Sequence, residues 1–262
     1  MKNSKLDYSH REILEYAKVE WKKHRVLIAT ATLGTIRIEW AHARYGQVIP
    51  INWGAQGYDL PYTAIGFSID DAYNTITKRA LELESEWLLF IEDDVILPPD
   101  CFIKMGQYMN KGKFPVVSGL YYTRAEPSEP LIFRGRGNGP YTKFKLGQLV
   151  WCDGLPMGCL LMHMSILKYF WDKLAPEYKL PDGTIGKKVF ESPKKVWFDP
   201  ENYSIERQEG TQDLYFFDRL LENNVLKKTG WKKLAKKKYP LLCDTSILCR
   251  HIDRNTGRMF PG

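Results

Sequence analysis

The chain predicts an α/β fold, a mainly parallel sheet flanked by helices, in one domain with a smaller second portion. Three observations carry this. Apolar runs of strand length alternate with helix-period segments over residues 25–120. The run Trp87-Leu88-Leu89-Phe90-Ile91 is apolar on both faces, as in a parallel strand covered by helices on either side. That run ends in Glu92-Asp93-Asp94, at the carboxyl end of a strand, where open α/β sheets bind their ligands.

Taken in order, residues 1–24 hold an amphipathic helix over 8–24, with Ile13, Leu14, Ala17 and Trp21 on one face. Residues 25–32 form a first buried strand that ends in small hydroxyl residues before Gly34. Helical character follows over 35–46. Residues 48–53 read as a second strand, placed at an edge or bulge by Pro50. A loop over 54–61 leads to a helix over 68–85, capped by Ser68, with Ile69, Ala72, Tyr73, Ile76, Ala80 and Leu83 on its apolar stripe. The acid-tipped strand comes next, then a helix from Pro98-Pro99-Asp100 to about Lys111 and a strand over 114–120.

The second portion, 121–262, opens on a long loop rich in Gly, Pro, Tyr and Arg over 121–148. Strands at 150–153 and 159–162 and a helix over 164–174 follow. Residues 176–195 are polar and read as mobile. A short strand lies at 196–198, a helix capped by Thr211 over 212–223, and strands at 239–244 and 247–249.

At 262 residues the chain is long enough for a sizeable core, and 44% hydrophobic with 26% charged residues is the balance of an ordinary globular protein. No stretch of about 18 apolar residues is present and the first residues form no signal peptide. Five scattered cysteines without a CxxC pair point to reduced thiols and a cytoplasmic setting, the host cytoplasm if the chain is phage-encoded. The net charge is +7, and residues 227–238 alone hold seven lysines and no acid. The basic character is therefore a local patch, either a solvated face or a docking surface for a polyanion.

No GxGxxG loop follows the first strand, and neither GxxxxGK[ST] nor GxSxG occurs, so nicotinamide enzymes, P-loop ATPases and α/β-hydrolases are disfavoured. The three acids repel one another, and a hard divalent cation with oxygen ligands is the usual compensation. His251 and the acid triplet form the best ligand set.

The order of segments carries a resemblance. A strand ending in Thr30-Ala31-Thr32 precedes Phe90-Ile91-Glu92-Asp93-Asp94-Val95 and Pro98-Pro99-Asp100. Then come Met157-Gly158-Cys159-Leu160-Leu161-Met162, Gln212-Asp213-Leu214-Tyr215, Asp244-Thr245-Ser246 and His251. Together these resemble a GT-A fold glycosyltransferase of the family 2 kind, with its phage and bacterial relatives, over roughly residues 25–253.

The resemblance implies a Rossmann-like nucleotide-sugar half over 25–120 and an acceptor half over 121–262. It implies Asp94 as ligand of Mn²⁺ or Mg²⁺ bridging the diphosphate of a donor, a UDP-sugar foremost, with His251 completing the metal shell. Glu92 and Asp93 would face the ribose or orient the site. Thr30 and Thr32 would meet the nucleotide, or serve only turn chemistry. Asp213 matches the base that deprotonates the acceptor hydroxyl in inverting members. Here Gln212 replaces the usual Glu, and a helix N-terminus is expected to lower the Asp213 pKa. Asp59 and Asp71 are candidates for uracil or ribose. Arg124, Arg134 and Arg136 are candidates for the diphosphate. Trp151 and Asp153 fall on the acceptor side, where Trp151 would stack on a ring or simply pack in the core.

The passage from the candidate base to the last strand is longer than the family's, because it contains the lysines with Trp231 and Tyr239 among them. Lysines interleaved with aromatic residues suit nucleic acid, so the acceptor is either a nucleic acid, such as modified DNA, or a glycan. A sugar-phosphate nucleotidyltransferase is the rival enzyme. Its basic Gly-rich loop is missing from Thr30-Ala31-Thr32-Leu33-Gly34. A non-catalytic glycan- or nucleic-acid-binding module of the same fold would not need both the triplet and Asp213.

Overall fold

The computed structural model describes residues 24–56, 62–135, 139–181, 183–199, 203–209 and 211–261. The helix expected over 8–24 lies outside these residues except for His24, which opens the first strand.

The strands in chain order are β1 (His24–Thr32), β2 (Trp53–Gln56), β3 (Tyr62–Ile65), β4 (Trp87–Ile91), β5 (Val95–Ile96), β6 (Val116–Leu120), β7 (Leu149–Cys152) and β8 (Cys159–His163). After them come β9 (Glu177–Lys179), β10 (Ile185–Lys187), β11 (Lys194–Asp199), β12 (Ser204–Glu209), β13 (Leu241–Leu248), β14 (Arg250–Ile252) and β15 (Met259–Phe260). The helices are α1 (Ile38–Tyr45), α2 (Ile69–Glu82), α3 (Cys101–Lys111), α4 (Met164–Tyr169), α5 (Gln212–Glu222), α6 (Val225–Lys228) and α7 (Lys232–Ala235).

An eight-stranded sheet runs β2-β1-β4-β8-β6-β13-β7, with β3 also paired to β1. β1, β2, β3, β4, β6 and β13 run in one direction, and β8 and β7 run against it. The sheet is thus mixed and mostly parallel, a Rossmann-like α/β architecture of the GT-A kind. β4 pairs in parallel with β1 but antiparallel with β8. An apolar run encodes burial on two faces and not the direction of its neighbours.

Alternation along the strands builds two apolar layers. Leu27, Ala29, Leu88 and Phe90 face a layer with Tyr73, Ile76 and Ala80 of α2 and Phe216, Phe217 and Leu220 of α5. Val26, Ile28, Leu89 and Ile91 face the other layer, with Trp40 of α1 and Phe102, Met105 and Met109 of α3. Ser68 caps α2 by accepting a hydrogen bond from the Asp71 amide at 3.3 Å. α3 ends at Gly112, whose φ of +56° is the left-handed conformation that lets the chain leave the helix.

Several boundaries differ from the sequence reading. Residues 48–52 form no strand. Pro50 cannot donate to a ladder, and its carbonyl instead accepts the Trp53 amide at 3.0 Å in a turn. The polar stretch 176–195 contains the hairpin β9–β10 and the start of β11, and it buries Val189 and Phe190. Asn74 of α2 holds this stretch with its amide, donating to the Phe190 carbonyl at 2.9 Å and accepting from the Phe190 amide at 2.8 Å. The last two expected strands are a single strand, β13, with a register irregularity between Asp244 and Leu248. The five cysteines are free and buried.

Asn74→Ala leaves two backbone groups unpaired in the core, each worth about 1–3 kcal/mol. The expected loss is roughly 2–4 kcal/mol in urea unfolding, and a change below about 0.5 kcal/mol would contradict it.

Candidate active site

The three acids after β4 have three different environments. Glu92 turns toward the layer of α2. Its amide donates to the Gly158 carbonyl at 3.1 Å and its carbonyl accepts from Trp40 Nε1 at 2.7 Å, which fixes the backbone on both sides. Its carboxyl accepts from the hydroxyl of Tyr73 and from that of Tyr121 at 3.4 Å. Burial pushes Glu92 up to about 7, and the charges of Asp94 and Asp213 act in the same direction, against the Tyr73 hydrogen bond and His251. Burial, with the charge of Glu92, raises both phenols well above their ordinary range, so they remain donors.

Asp93 is 1% exposed. Arg254 pairs with its Oδ1, while its buried Oδ2 has no partner among the described residues. Burial raises its pKa against the Thr32 hydroxyl and the Arg254 charge.

Asp94 is where the cations meet. Its Oδ2 lies 3.1 Å from Arg124 Nη1, 3.6 Å from Arg254 Nη2 and 3.6 Å from His251 Nε2. Burial by itself would raise its pKa. The contact with His251 and the charges of Arg254 and Arg124 outweigh burial and hold it below the ordinary value.

His251 reaches this point because β14 pairs antiparallel with β5, placing His251 opposite Val95. Its Nδ1 lies 2.8 Å from the Tyr122 carbonyl, an acceptor only, so Nδ1 carries the proton. A neutral imidazole in that tautomer aims its Nε2 lone pair at Asp94. The contact is favourable when His251 is protonated or when a cation sits between Nε2 and Oδ2. An imidazole oriented by a backbone carbonyl is the usual arrangement of a metal-binding histidine. Among the described residues no three His, Cys, Asp or Glu side chains converge as a complete metal cage. Asp94 and His251 are the two residues that could hold a cation here, and its other ligands would have to come from a phosphate and water.

Asp213 lies in the first turn of α5. Its charge acts on Glu92, Tyr73 and Tyr121, so it lies within electrostatic range of the cluster. The net pKa shift of Asp213 is upward, contrary to the helix-end expectation. Burial outweighs the hydrogen bonds from the Thr211 hydroxyl and the Leu214 amide, the latter at 2.8 Å. Thr211 stands at the cap position, yet its hydroxyl serves the carboxylate and no helix amide.

Thr30 and Thr32 end β1 beside the acids. The Thr30 hydroxyl is buried without a partner among the described residues. Thr32 lines a cavity of about 210 Å³ together with Leu33, Phe67, Ile69, Ala72 and Arg254. Arg134 is engaged elsewhere, donating to the Trp151 carbonyl at 2.6 Å and lying 3.7 Å from the centre of the Tyr141 ring. Asp71 accepts from Ser68 and Tyr178. Asp59 and Arg136 lie outside the described residues.

Two expected acceptor residues are not in the acid cluster. Asp153 accepts the Gly135 amide at 2.9 Å, and its other oxygen is buried without a partner among the described residues. Trp151 pairs with Leu242 on β13, which pairs with Val117 near the start of β6. It lines a groove with Phe114 and Trp231 at the opposite end of the sheet from Glu92. The residues that sequence reasoning missed are Arg254, Tyr73 and Tyr121. Tyr73 looked like one more member of an apolar stripe. Arg254, three residues after His251, carried a readable signal, because a cation near a metal-ligand candidate suits a buried acid.

No protein-family model and no curated protein sequence matches the chain. Among solved structures it is similar to the crystal structure of A197 from STIV, at 16% identity and a TM-score of 0.51, over 88% of this chain and 87% of that one. It also shows a weaker likeness to a CMP:2-keto-3-deoxy-manno-octonic acid synthetase complexed with CTP, at 9% identity and a TM-score of 0.35, over 60% of this chain and 81% of that one. The first likeness shows a shared fold, and the second is too distant to bear on this chain.

The raised pKa of Glu92 has a consequence for stability. The folded protein binds a proton there more tightly than the unfolded chain. Stability from this group is full below pH ~4.5 and is lost as pH rises toward about 7. The loss is up to about 3 kcal/mol. Melting temperature followed from pH 4.5 to 7.5 should fall less steeply in Glu92→Gln than in the parent protein, and parallel curves would refute the shift.

Proposed function

We propose that the protein is a divalent-cation-dependent glycosyltransferase, moving a hexosyl or pentosyl unit from a nucleoside-diphosphate sugar to an acceptor hydroxyl. The observation that carries this is the convergence of Asp94, His251 Nε2, Arg124 and Arg254 at the carboxyl end of β4, with Asp213 within electrostatic range of Glu92. Mn²⁺ or Mg²⁺ held by Asp94 and His251 would neutralise the charge that develops on the departing diphosphate.

The chain's own residues supply the rest. Arg124, 41% exposed, can reach a diphosphate oxygen as well as Asp94. The cavity bounded by Thr32, Phe67 and Arg254 is placed for part of the nucleotide, with UDP as the first candidate and Asp93 behind it on Arg254. Glu92, raised to about 7 by burial, is partly protonated at neutral pH, and in that form it can donate a hydrogen bond to a sugar or ribose hydroxyl. Asp213 is the candidate base for an inverting reaction. Burial raises its pKa, which makes it a better proton acceptor than a solvated aspartate.

A nucleotidyltransferase would release inorganic pyrophosphate rather than a nucleoside diphosphate. The chain between β1 and α1 has Arg37 as its sole basic residue, and Arg37 pairs with Glu39, so no cationic loop is free there for a triphosphate. Among the described residues no helix is long and apolar enough to cross a membrane. The five free thiols support a reducing, cytoplasmic setting.

Thermal shift with UDP, GDP and CDP, each with and without Mn²⁺, tests the reading. One diphosphate should raise the melting temperature only with metal, and Asp94→Asn should abolish the rise. A metal-independent shift, or none, would overturn it. With the matching nucleotide sugar, released diphosphate is the expected product, and Asp213→Asn should lower kcat by about 10²–10⁴ with little change in donor KM. Release of pyrophosphate would favour the nucleotidyltransferase.

A further inference from the structure

The lysine segment forms one wall of a groove that the proposed transfer reaction does not use. Residues 225–235 fold as two one-turn helices, α6 and α7, with Leu226 and Leu234 buried beneath them. The polar residues between those anchors face outward. Lys232, Lys233 and Lys237 come from this segment and Lys113 from the turn after α3, and with Trp151 and Trp231 they line a groove of about 640 Å³. No carboxylate is among the described residues lining it.

The rings are held in place. Trp231 Nε1 donates to Ser165 Oγ at 3.2 Å, and its ring meets His163 edge-on at 5.3 Å between centres. Trp151 is backed by Phe114 at 5.8 Å. The ammonium of Lys237 lies 3.9 Å from the centre of the Trp151 ring. Lys237 is exposed and on a flexible stem, so an anion that draws the ammonium away also uncovers the ring face. One occupant uses both changes: a phosphate beside a planar base that is free to stack.

We propose that this groove binds single-stranded nucleic acid, with phosphates on Lys113, Lys232, Lys233 and Lys237 and an unpaired base on Trp151. A duplex offers the phosphates but keeps its bases stacked inside, and an anionic membrane offers no ring. The groove lies at the amino end of β6, across the sheet from Asp94, so it is a docking surface and does not position the reacting hydroxyl.

Fluorescence anisotropy of a labelled oligothymidylate of about a dozen nucleotides, read across a salt series, tests this. With four lysines engaged, log K should fall against log salt with a slope of about −3, and tryptophan emission should be quenched on binding. Lys233→Glu with Lys237→Glu, both on exposed positions, should weaken binding more than about tenfold and flatten the slope. Trp151→Leu should weaken the oligonucleotide but leave inorganic polyphosphate unchanged, with thermal melting confirming that the variant is folded. Asp94→Asn should bind the oligonucleotide as the parent does, so failure of the transferase reading would leave this one standing. Salt-independent binding, equal affinity for duplex or polyphosphate, or stronger binding to phosphatidylserine vesicles would each overturn the proposal.

Discussion

Three carboxylates at the carboxyl end of a fully buried strand are the constraint around which this fold is arranged. Two like charges about 4 Å apart repel by roughly 4 kcal/mol at the effective dielectric of a protein surface. The chain answers in three ways. Glu92 is raised to about 7 by burial, so part of its charge is lost at neutral pH, and its carboxyl accepts from two phenols. Asp93 is paired with Arg254. Asp94 stays ionised under Arg124, Arg254 and His251. Asp94 is the acid of the three held below its ordinary pKa, so on the proposed reading it is the one that would serve a cation.

That solution requires the C-terminal tail to cross the end of the sheet. After β13, the Cys249 amide donates to the Leu120 carbonyl at 2.8 Å and the Ile252 amide donates to the Asp94 carbonyl at 2.8 Å. The tail is thus pinned to the backbone of the acid it serves. Asp253 then closes a turn, accepting from the Asn255 amide at 3.0 Å and the Thr256 amide at 2.7 Å, and Arg37 donates to the Arg254 carbonyl at 3.3 Å. Arg254 therefore reaches the acids from a fixed base. His251 is oriented in the same way by the Tyr122 carbonyl, while Arg124 is the more exposed member of the cationic half.

The fold was largely legible because the strands carry their burial in their composition. Trp87–Ile91 is buried as its two-faced apolar pattern requires, and the stripe of α2 faces the core as its period requires. Direction was not legible, since Cys159–His163 would read the same in either orientation. Of the site, Asp94 and His251 were readable as residue types that need company, and the structure brings them to 3.6 Å. Tyr73 and Tyr121 were not readable, because a phenol that donates to a buried carboxyl has the same pattern signature as one that packs. For Trp151 the sequence left stacking and core packing open, and only strand register says at which end of the sheet its ring lies.

Register also separates the protein's two charged regions. Five residues of β4 span about 16 Å at the usual strand rise. The Debye length at physiological salt is about 8 Å. The lysines at the far end, which match the chain's whole net charge of +7, are therefore largely screened from Asp94 and its surroundings. They cannot be what draws an anionic donor to the acids. On the proposed transfer reaction, recognition of a diphosphate at that end would come from local groups, the guanidinium of Arg124 and a cation at Asp94 and His251. Conversely, the lysines cost self-repulsion in a segment whose two apolar anchors are Leu226 and Leu234. In the proposed nucleic-acid groove, phosphates would relieve that repulsion at a site flanked by two ordered tryptophans and remote from the acids.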